Sequence, residues 1–315
     1  MRFTSIRQTK NQNAAFVSNE FDNERNRTMN YKILFIPVFL MLAACNSAQQ
    51  NVADDFPVNY QSKDKEILEQ VLELFSEDKN SPTSVLMVKT GTYFMGTPYV
   101  AHTLETNPEQ LVVNLRGMDC TTFAENCLAI SKTIQSGTHS FEQFTRELKN
   151  IRYRNGKING YLSRLHYFSD WIFDNQQKKL VKDVSKKITA TPYNKEVDFM
   201  STHPDSYDQL KDSAELVERI AEQENDINSR QLFYIPENKI AVVENELMDG
   251  DIVGITTSVD GLDISHVGIL VRKAGRIHLM HASSLAEEVV VSKNTLEDYL
   301  LGSKSATGIM VARPL

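Results

Sequence analysis

Gly117-Met118-Asp119-Cys120-Thr121-Thr122-Phe123 is the stretch from which the interpretation of this chain starts. It places a cysteine in the first turn of a helix predicted over 119–133, after a glycine-containing turn, with Asp119 as the N-cap. The unpaired N–H groups at a helix N-terminus stabilise a thiolate, the nucleophilic form of cysteine, and can bind an oxyanion. Cys120 is therefore a candidate nucleophile, although a free cysteine is often only a small buried apolar side chain.

A general base for this thiol is available in the predicted strand His266–Val271. Alternation puts Val267 and its odd-numbered neighbours towards the core and His266 on the other face. Gly268 shares the face of His266 and leaves room there for a helix end or a substrate, which suits a general base. A histidine at the start of a strand can equally lie on the surface.

The next predicted strand, Arg276–Ala282, contains His278 and His281, which are three residues apart and so face opposite sides. Only one of them can hold the base in one tautomer, and we assign that role to His281. Cys120, His266 and His281 could also supply three zinc ligands, but their spacing matches no zinc motif, so we predict no metal.

The composition excludes several classes of function. The chain has 34 basic and 41 acidic residues and a net charge of -7, which disfavours nucleic acid as a partner. The sequence contains no GxGxxG, P-loop, HExxH or GxSxG pattern, and we predict no cofactor.

The N-terminal part of the chain has the layout of a secretory signal. The apolar run Ile33–Ala44 follows Lys32, is too short to span a bilayer, and ends in Leu-Ala-Ala before a cysteine. This ending resembles the bacterial lipoprotein box, in which the thiol, here Cys45, carries lipid and the chain is cut before it. A chance cysteine after an ordinary signal is the alternative.

These features predict the organisation of the chain. Residues 1–28 are expected to be an upstream start-codon artefact, 29–44 the signal peptide, 45–62 a tether and 63–315 the enzyme domain. The protein is then expected in the cell envelope of a Gram-negative-type bacterium, held in the membrane by lipid on Cys45 and either periplasm-facing or surface-exposed.

Apolar periodicity predicts helices first and strands last, which is typical of an α+β fold. The predicted helices cover 64–77, 84–94, 119–133, 141–151, 163–173 and 207–223. The predicted strands cover 251–256, 266–271, 276–282, 287–291 and 307–313, and their short connections favour an antiparallel meander.

Several motifs, in this order, resemble those of the NlpC-type papain-like cell-wall hydrolases. They are the turn Gly96–Tyr99, then Asp119-Cys120, Gly250–Val253, His266–Ile269 and His281-Ala282. The sequence is most similar to the N-acetylmuramoyl-L-alanine amidase-like family, through segments 116–126, 151–154 and 163–171 and the final Arg313-Pro314. The resemblance covers residues 64–315.

The resemblance implies a papain-like core, in which the nucleophile helix packs on the antiparallel sheet, and a mainly helical insert at about 136–244. It implies Cys120 as the nucleophile, His266 as the base and His281 as the orienting residue. It also implies that Tyr99 lies beside the cleft and helps to bind substrate or oxyanion.

The candidate substrate-binding residues carry a charge or an aromatic ring. Guanidinium groups bind carboxylates and aromatic faces can stack on sugar rings, and a muropeptide offers both partners. The aromatic side chains and the arginines of the insert could instead serve its internal packing. The candidates are Arg116, Asp119, Arg152, Arg154, Arg164 and Tyr167, in addition to Tyr99.

The function implied is a cysteine amidohydrolase of peptidoglycan fragments, which cleaves the amide between N-acetylmuramic acid, in its anhydro form, and L-Ala. One alternative is a γ-D-glutamyl-diamino-acid endopeptidase of the same superfamily. In that class a serine follows the cysteine and binds a peptide amino end together with the preceding aspartate; Thr121 stands there instead, which favours the amidase. The other alternative is a non-catalytic wall-binding lipoprotein.

Overall fold

Strands of two sheets are present in the computed structural model, which describes residues 56–315. The two short strands β1 and β2 pair in parallel, and the other strands form one antiparallel sheet in the order β4-β5-β10-β6-β7-β8-β9, with β3 also paired to β10. The bounds are β1 (Val58–Asn59), β2 (Leu111–Val112), β3 (Val181–Asp183), β4 (Thr191–Tyr193), β5 (Leu232–Pro236), β6 (Ile252–Thr257), β7 (Ile264–Lys273), β8 (Arg276–Ser283), β9 (Glu288–Val291) and β10 (Ala306–Pro314).

Helices precede and flank this sheet, so the α+β class is confirmed. The predicted helices are found with shifted ends; the one predicted over 163–173 starts at residue 168, and the one over 207–223 starts at 214. The bounds are α1 (Ser62–Leu74), α2 (Thr83–Tyr93), α3 (Cys120–Ser136), α4 (Phe141–Arg152), α5 (Phe168–Gln177), α6 (Ser185–Thr189), α7 (Phe199–Thr202), α8 (Ala214–Asn228), α9 (Ile240–Val243) and α10 (Leu296–Leu301).

The strand order differs from the predicted meander at β10. This strand pairs with β6 and not with β9. The segment that contains α10 carries the chain from β9 back across the sheet to the free edge of β6. The run Ile309–Ala312 is buried throughout, and such a continuous apolar run fits a strand with partners on both edges and packing on both faces. The alternation of apolar and polar residues alone could not distinguish a central strand from an edge strand.

The insert is not purely helical. Strands β3 and β5 both pair with β10, and β4 continues the sheet beyond β5, so three strands of the main sheet come from the predicted insert at about 136–244. They were missed because each has only three to five residues. The insert is thereby bonded into the sheet instead of resting on it as a separate layer.

Both faces of the sheet are covered, so the prediction of one core face is incomplete. On the face of Ile269, the β8 residue Met280 packs on α2 and α3, where Gly91 leaves space for its side chain against Phe123. On the opposite face, Leu270 belongs to a second buried cluster with the side chains of α10. His266 lies at the end of the second face, where β7 begins.

The insert also has an apolar cluster of its own. Its buried members come from the segment before α5, from α7 and α8, and from the segments that precede these two helices; they are Tyr161, Leu162, Tyr167, Val197, Met200, Leu210, Ile220 and Ile227. At the other end of the described chain, pairing of β1 with β2 brings the last residues of the predicted tether into the folded unit. No helix within residues 56–315 is both long and apolar enough to cross a membrane.

Candidate active site

Cys120 is the first residue of α3, and the turn before it is fixed by hydrogen bonds. Oδ1 of Asp119 accepts from the backbone N–H of Thr122 at 2.7 Å and from its hydroxyl at 2.8 Å, and that hydroxyl in turn accepts from the N–H of Asp119 at 2.9 Å. This reciprocal cap explains why the helix begins here and confirms Asp119 as the N-cap. It places the half-buried Cys120 in the first turn of the helix.

His266 and His281 form a hydrogen-bonded pair. Nε2 of His266 lies 2.6 Å from Nδ1 of His281, and the two rings are nearly perpendicular. In the register of β7 and β8, Gly268 falls opposite His281, and a Cβ at this glycine would lie 2.5 Å from the Leu279 side chain. Gly268 therefore allows β7 and β8, which carry the two histidines, to pack closely. The space beside Gly268, predicted for a helix end or a substrate, is filled by the Leu279 side chain.

The thiol adjoins the same strand as the base. The backbone N–H of Val267, the residue after His266, is close enough to Cys120 to favour the ionised form of its thiol. Cys120 and His266 also line one cavity of about 160 Å³. Because Nε2 of His266 is engaged by His281, Nδ1 is the nitrogen that remains to exchange a proton with the thiol. For that role, Nε2 must carry the hydrogen and donate it to His281.

Burial makes all three groups neutral at pH 7. It raises the pKa of the Cys120 thiol to about 11, and the carboxylate of Asp119 raises it as well, against the N–H groups of Val267 and Thr121. Burial lowers the pKa of His266 to about 4, although Asp119 opposes this, and lowers the pKa of His281 to about 3. This direction is opposite to the thiolate stabilisation expected from the helix N-terminus, because burial and the capping carboxylate both raise the thiol pKa.

A second, larger cavity of about 610 Å³ also reaches Cys120. Tyr99 and Asp119 line it beside the thiol, as do the guanidinium-bearing residues Arg152 and Arg164. The hydroxyl of Tyr99 has a raised pKa because of burial and because of the nearby thiol and carboxylate of Cys120 and Asp119. Four of the seven predicted substrate-binding residues therefore line one space next to Cys120.

Arg152 and Arg164 are held in the wall of that cavity by buried partners. Nε of Arg152 donates to Glu125 at 2.6 Å and its Nη1 to the carbonyl of Val112, and the side chain is only 2% exposed. Arg164 donates to Glu105 at 3.0 Å. Both arginines thus already have carboxylate partners, so they hold the protein together at this wall whether or not they also contact substrate.

The other three predicted substrate-binding residues are engaged elsewhere. Arg116 pairs at 3.0 Å with the fully buried Asp64 at the start of α1, outside both cavities. Arg154 pairs with Asp170 at 2.6 Å, also outside them. The ring of Tyr167 lines the smaller cavity, but its hydroxyl donates to Glu224 at 2.6 Å within the core of the insert.

Sequence comparison shows what kind of protein carries this site. The family model for N-acetylmuramoyl-L-alanine amidase-like proteins matches residues 89–309. The chain belongs to this amidase-like family. Comparison with curated proteins found no significant match.

Solved structures agree with the family assignment. An N-acetylmuramoyl-L-alanine amidase from Bacteroides uniformis is 38% identical, with a TM-score of 0.71 over 74% of this chain and 99% of that one. A Bacteroides fragilis protein provisionally named a xylanase is 41% identical, with a TM-score of 0.67 over 71% of this chain and 99% of that one. A Legionella pneumophila protein shares the fold at 22% identity, with a TM-score of 0.60 over 81% of this chain and 96% of that one.

This amidase-like site contains a third histidine that the sequence analysis passed over. His166 lines both cavities, and its Nε2 bonds to the carbonyl of Tyr161 at 2.9 Å. Burial, and the charge of Arg164, lower the pKa of His166 to about 3, so its ring is neutral. Tyr207 lies on both cavities too. The only sequence signal for either was that His166 falls in a segment shared with the amidase-like family.

Two other predictions concern metal binding and lipidation. Among residues 56–315, no group of three or more His, Cys, Asp and Glu side chains is arranged to hold a metal ion. Cys45, the predicted lipidation site, and the segments 1–28 and 29–44 lie outside the residues that the structure describes.

Proposed function

We propose that this amidase-like protein is a cysteine hydrolase that cleaves the amide between N-acetylmuramic acid and L-Ala in peptidoglycan fragments. One observation carries the proposal: Cys120, at a helix N-terminus, lines the same cavity as His266, and His266 is bonded to His281 at 2.6 Å. A nucleophile, a base and a group that orients the base are the parts that such a reaction requires. The helix on an antiparallel sheet is also what a papain-like NlpC-type core would provide.

The reaction begins with a neutral pair. As Sγ of Cys120 attacks the lactyl carbonyl of the sugar, Nδ1 of His266 takes the thiol proton. Because the thiol pKa is about 11, this transfer accompanies bond formation and does not precede it. The positive charge that develops on His266 is stabilised by its hydrogen bond to His281 and by the carboxylate of Asp119.

The carbonyl oxygen becomes an oxyanion in the tetrahedral intermediate. The backbone N–H of Cys120 at the helix N-terminus and the hydroxyl of Tyr99 are the donors proposed for it. His266 then gives its proton to the leaving nitrogen of L-Ala, and the sugar remains on Cys120 as a thioester. Water activated by His266 hydrolyses this thioester and restores the free thiol.

The insert supports a preference for small fragments. Residues of the insert, among them Arg164 and Tyr207, form walls of the larger cavity and so limit the space available to a substrate. An anhydro-muropeptide fits such a space better than a strand of intact peptidoglycan. The xylanase name of one relative does not change this assignment, because a glycosidase uses two carboxylates across the cleaved bond, and here the reacting groups are a thiol and an imidazole.

Product analysis tests the proposal. Purified protein is incubated with N-acetylglucosaminyl-anhydro-N-acetylmuramyl-tetrapeptide, next to the Cys120→Ala variant. Free tetrapeptide and disaccharide, absent from the variant, are the expected products. Release of a disaccharide-dipeptide would assign the protein as an endopeptidase instead, and absence of any cleavage would favour a wall-binding protein. Equal turnover of whole sacculi would contradict the preference for fragments.

We also propose that the protein starts at Met29, is lipidated on Cys45 and is held in the cell envelope by that anchor. The support is the sequence alone, namely the basic start, the apolar run and the Leu-Ala-Ala-Cys ending. Intact-mass measurement of the membrane fraction is expected to give a chain that begins at Cys45 with added acyl groups. A Cys45→Ser variant is expected in the soluble fraction; if it remains in the membrane, the anchor lies elsewhere.

A further inference from the structure

The two cavities of the site meet at the nucleophile. Cys120 and Thr121 of the nucleophile helix and His166 and Tyr207 of the insert line both of them. An amide attacked by Sγ therefore has one half in each cavity, because its two substituents extend to opposite sides of the carbonyl carbon. The remaining question is which half enters which cavity.

The position of His266 decides this orientation. His266 lines the smaller cavity and is not among the residues of the larger one. The group that protonates the leaving nitrogen has to be within hydrogen-bond reach of it. The amine half of the substrate therefore lies on the side of the smaller cavity, and the acyl half, which stays on Cys120, lies in the larger one beside Tyr99.

Size and chemistry agree with that orientation. The smaller cavity has a volume of about 160 Å³, close to the roughly 150 Å³ of an engineered apolar cavity that holds one benzene molecule. It is therefore large enough for one small residue but not for a substituted sugar ring. The larger cavity, with about 610 Å³, aromatic rings and guanidinium groups, has the volume typical of a site for a whole small ligand.

We propose that the smaller cavity is a selectivity pocket for the residue on the amine side of the cleaved bond, and that it admits only a small side chain there. Its apolar walls are Phe168 and Met200 from the insert and Leu262 and Ile264 from the sheet side. This inference rests on the proposed function. It adds the orientation of the substrate and names the side chains that restrict its first amino acid.

The walls of this pocket are firmly positioned. Phe168 and Met200 are 7% and 3% exposed, and Ile264 is 8% exposed. Gly254 on β6 allows the ring of Phe168 to approach the sheet, because a Cβ there would lie 2.5 Å from Phe168 and 2.9 Å from Ile264. A rigid wall cannot retreat from a branched side chain, so each added methylene is expected to lower the rate about tenfold or more.

The test uses a series of substrates with the wild-type protein. The disaccharide-tetrapeptide is prepared with Gly, L-Ala, L-Ser, L-Val or L-Leu next to the sugar, and kcat/KM is measured for each. The Gly, L-Ala and L-Ser compounds are expected to be cleaved, the L-Val compound at least a hundredfold more slowly than L-Ala, and the L-Leu compound at least a thousandfold more slowly. This series does not depend on whether any variant folds.

Three variants then locate the selectivity. Met200→Ala widens the pocket and is expected to raise the ratio of L-Val to L-Ala cleavage at least tenfold; Ile264→Val is a milder version for use if the first variant unfolds. Leu104→Ala, in the wall of the larger cavity only, is the matched control. It is expected to lower kcat/KM for all five substrates by the same factor and to leave their ratios unchanged.

The outcomes separate the two proposals. If L-Ala and L-Leu compounds are cleaved equally well at the sugar amide, the pocket assignment is wrong and the amidase proposal stands. If Leu104→Ala changes the amino-acid ratios and Met200→Ala does not, the orientation is reversed. If the sugar amide of the L-Ala compound is not cleaved at all, the amidase proposal fails and the pocket assignment fails with it.

Discussion

The neutral state of the Cys120 thiol, the proposed nucleophile, can be tested directly by alkylation at different pH values. With a pKa of about 11, only about one Cys120 thiol in ten thousand is ionised at pH 7. An ordinary cysteine, with a pKa near 8.5, is about 3% ionised at that pH. The thiolate population of Cys120 is thus about 300-fold smaller, and the greater intrinsic reactivity of a more basic thiolate recovers about a factor of ten.

We therefore expect iodoacetamide to react with Cys120 about 30-fold more slowly than with a free cysteine at pH 7. The rate is expected to increase about tenfold for each pH unit between 7 and 10. Mass spectrometry of the purified protein measures the rate, and the Cys120→Ala variant gives the background from the other two cysteines. A rate that stays constant between pH 5 and 8 would refute the reasoning, because it would require a preformed thiolate and imidazolium pair.

Three further predictions concern stability and the histidine pair. The pKa of His281 is about 3 in the folded protein and about 6.5 in the unfolded chain, so below pH 6.5 the unfolded state binds the extra proton. The free energy of unfolding therefore falls with pH, and this residue alone is expected to lower it by on the order of 1–2 kcal/mol at pH 5. Urea unfolding at pH 7.5 and at pH 5 measures this loss, which should be smaller for His281→Asn than for the wild type. Glu125→Gln leaves the buried guanidinium of Arg152 without its counter-charge and is expected to reduce the free energy of unfolding by about 3–5 kcal/mol; a loss below about 1 kcal/mol would mean that water reaches the pair. Gly268→Ala places a Cβ 2.5 Å from Leu279, and it is expected to lower the free energy of unfolding by about 1–3 kcal/mol and kcat at least tenfold. The double variant with Leu279→Ala should recover part of the activity.

The parts of the site that could be predicted from the sequence are those fixed by local rules. An aspartate before a helix caps it, and this predicted the start of α3 and the position of Cys120. Alternation along β8 correctly separated His278 from His281, and His281 is the one bonded to His266. Each of these inferences needs only the periodicity of one element.

The parts that could not be predicted depend on which segments meet in space. The arginines of the insert were chosen for their charge, but only the fold shows that Arg154 faces Asp170 while Arg164 reaches the cavity. The thiol pKa depends on burial, which raises it, and on the backbone N–H of Val267, which lowers it and is far from Cys120 in sequence. His166 had no pattern of its own, because a single histidine after a turn carries no periodic signal.

The place of β10 between β6 on one edge and β3 and β5 on the other has a consequence for biogenesis. This strand follows all of its partners along the chain, so β6 and the insert strands keep unpaired edges until residues 306–314 have emerged from the ribosome or, for an exported chain, from the membrane. During that interval the nascent chain exposes the surfaces on which chaperones and proteases act. Assembly of the sheet is therefore postponed until the last residues are available, and a chain that ends before β10 would be degraded and would not be partly active.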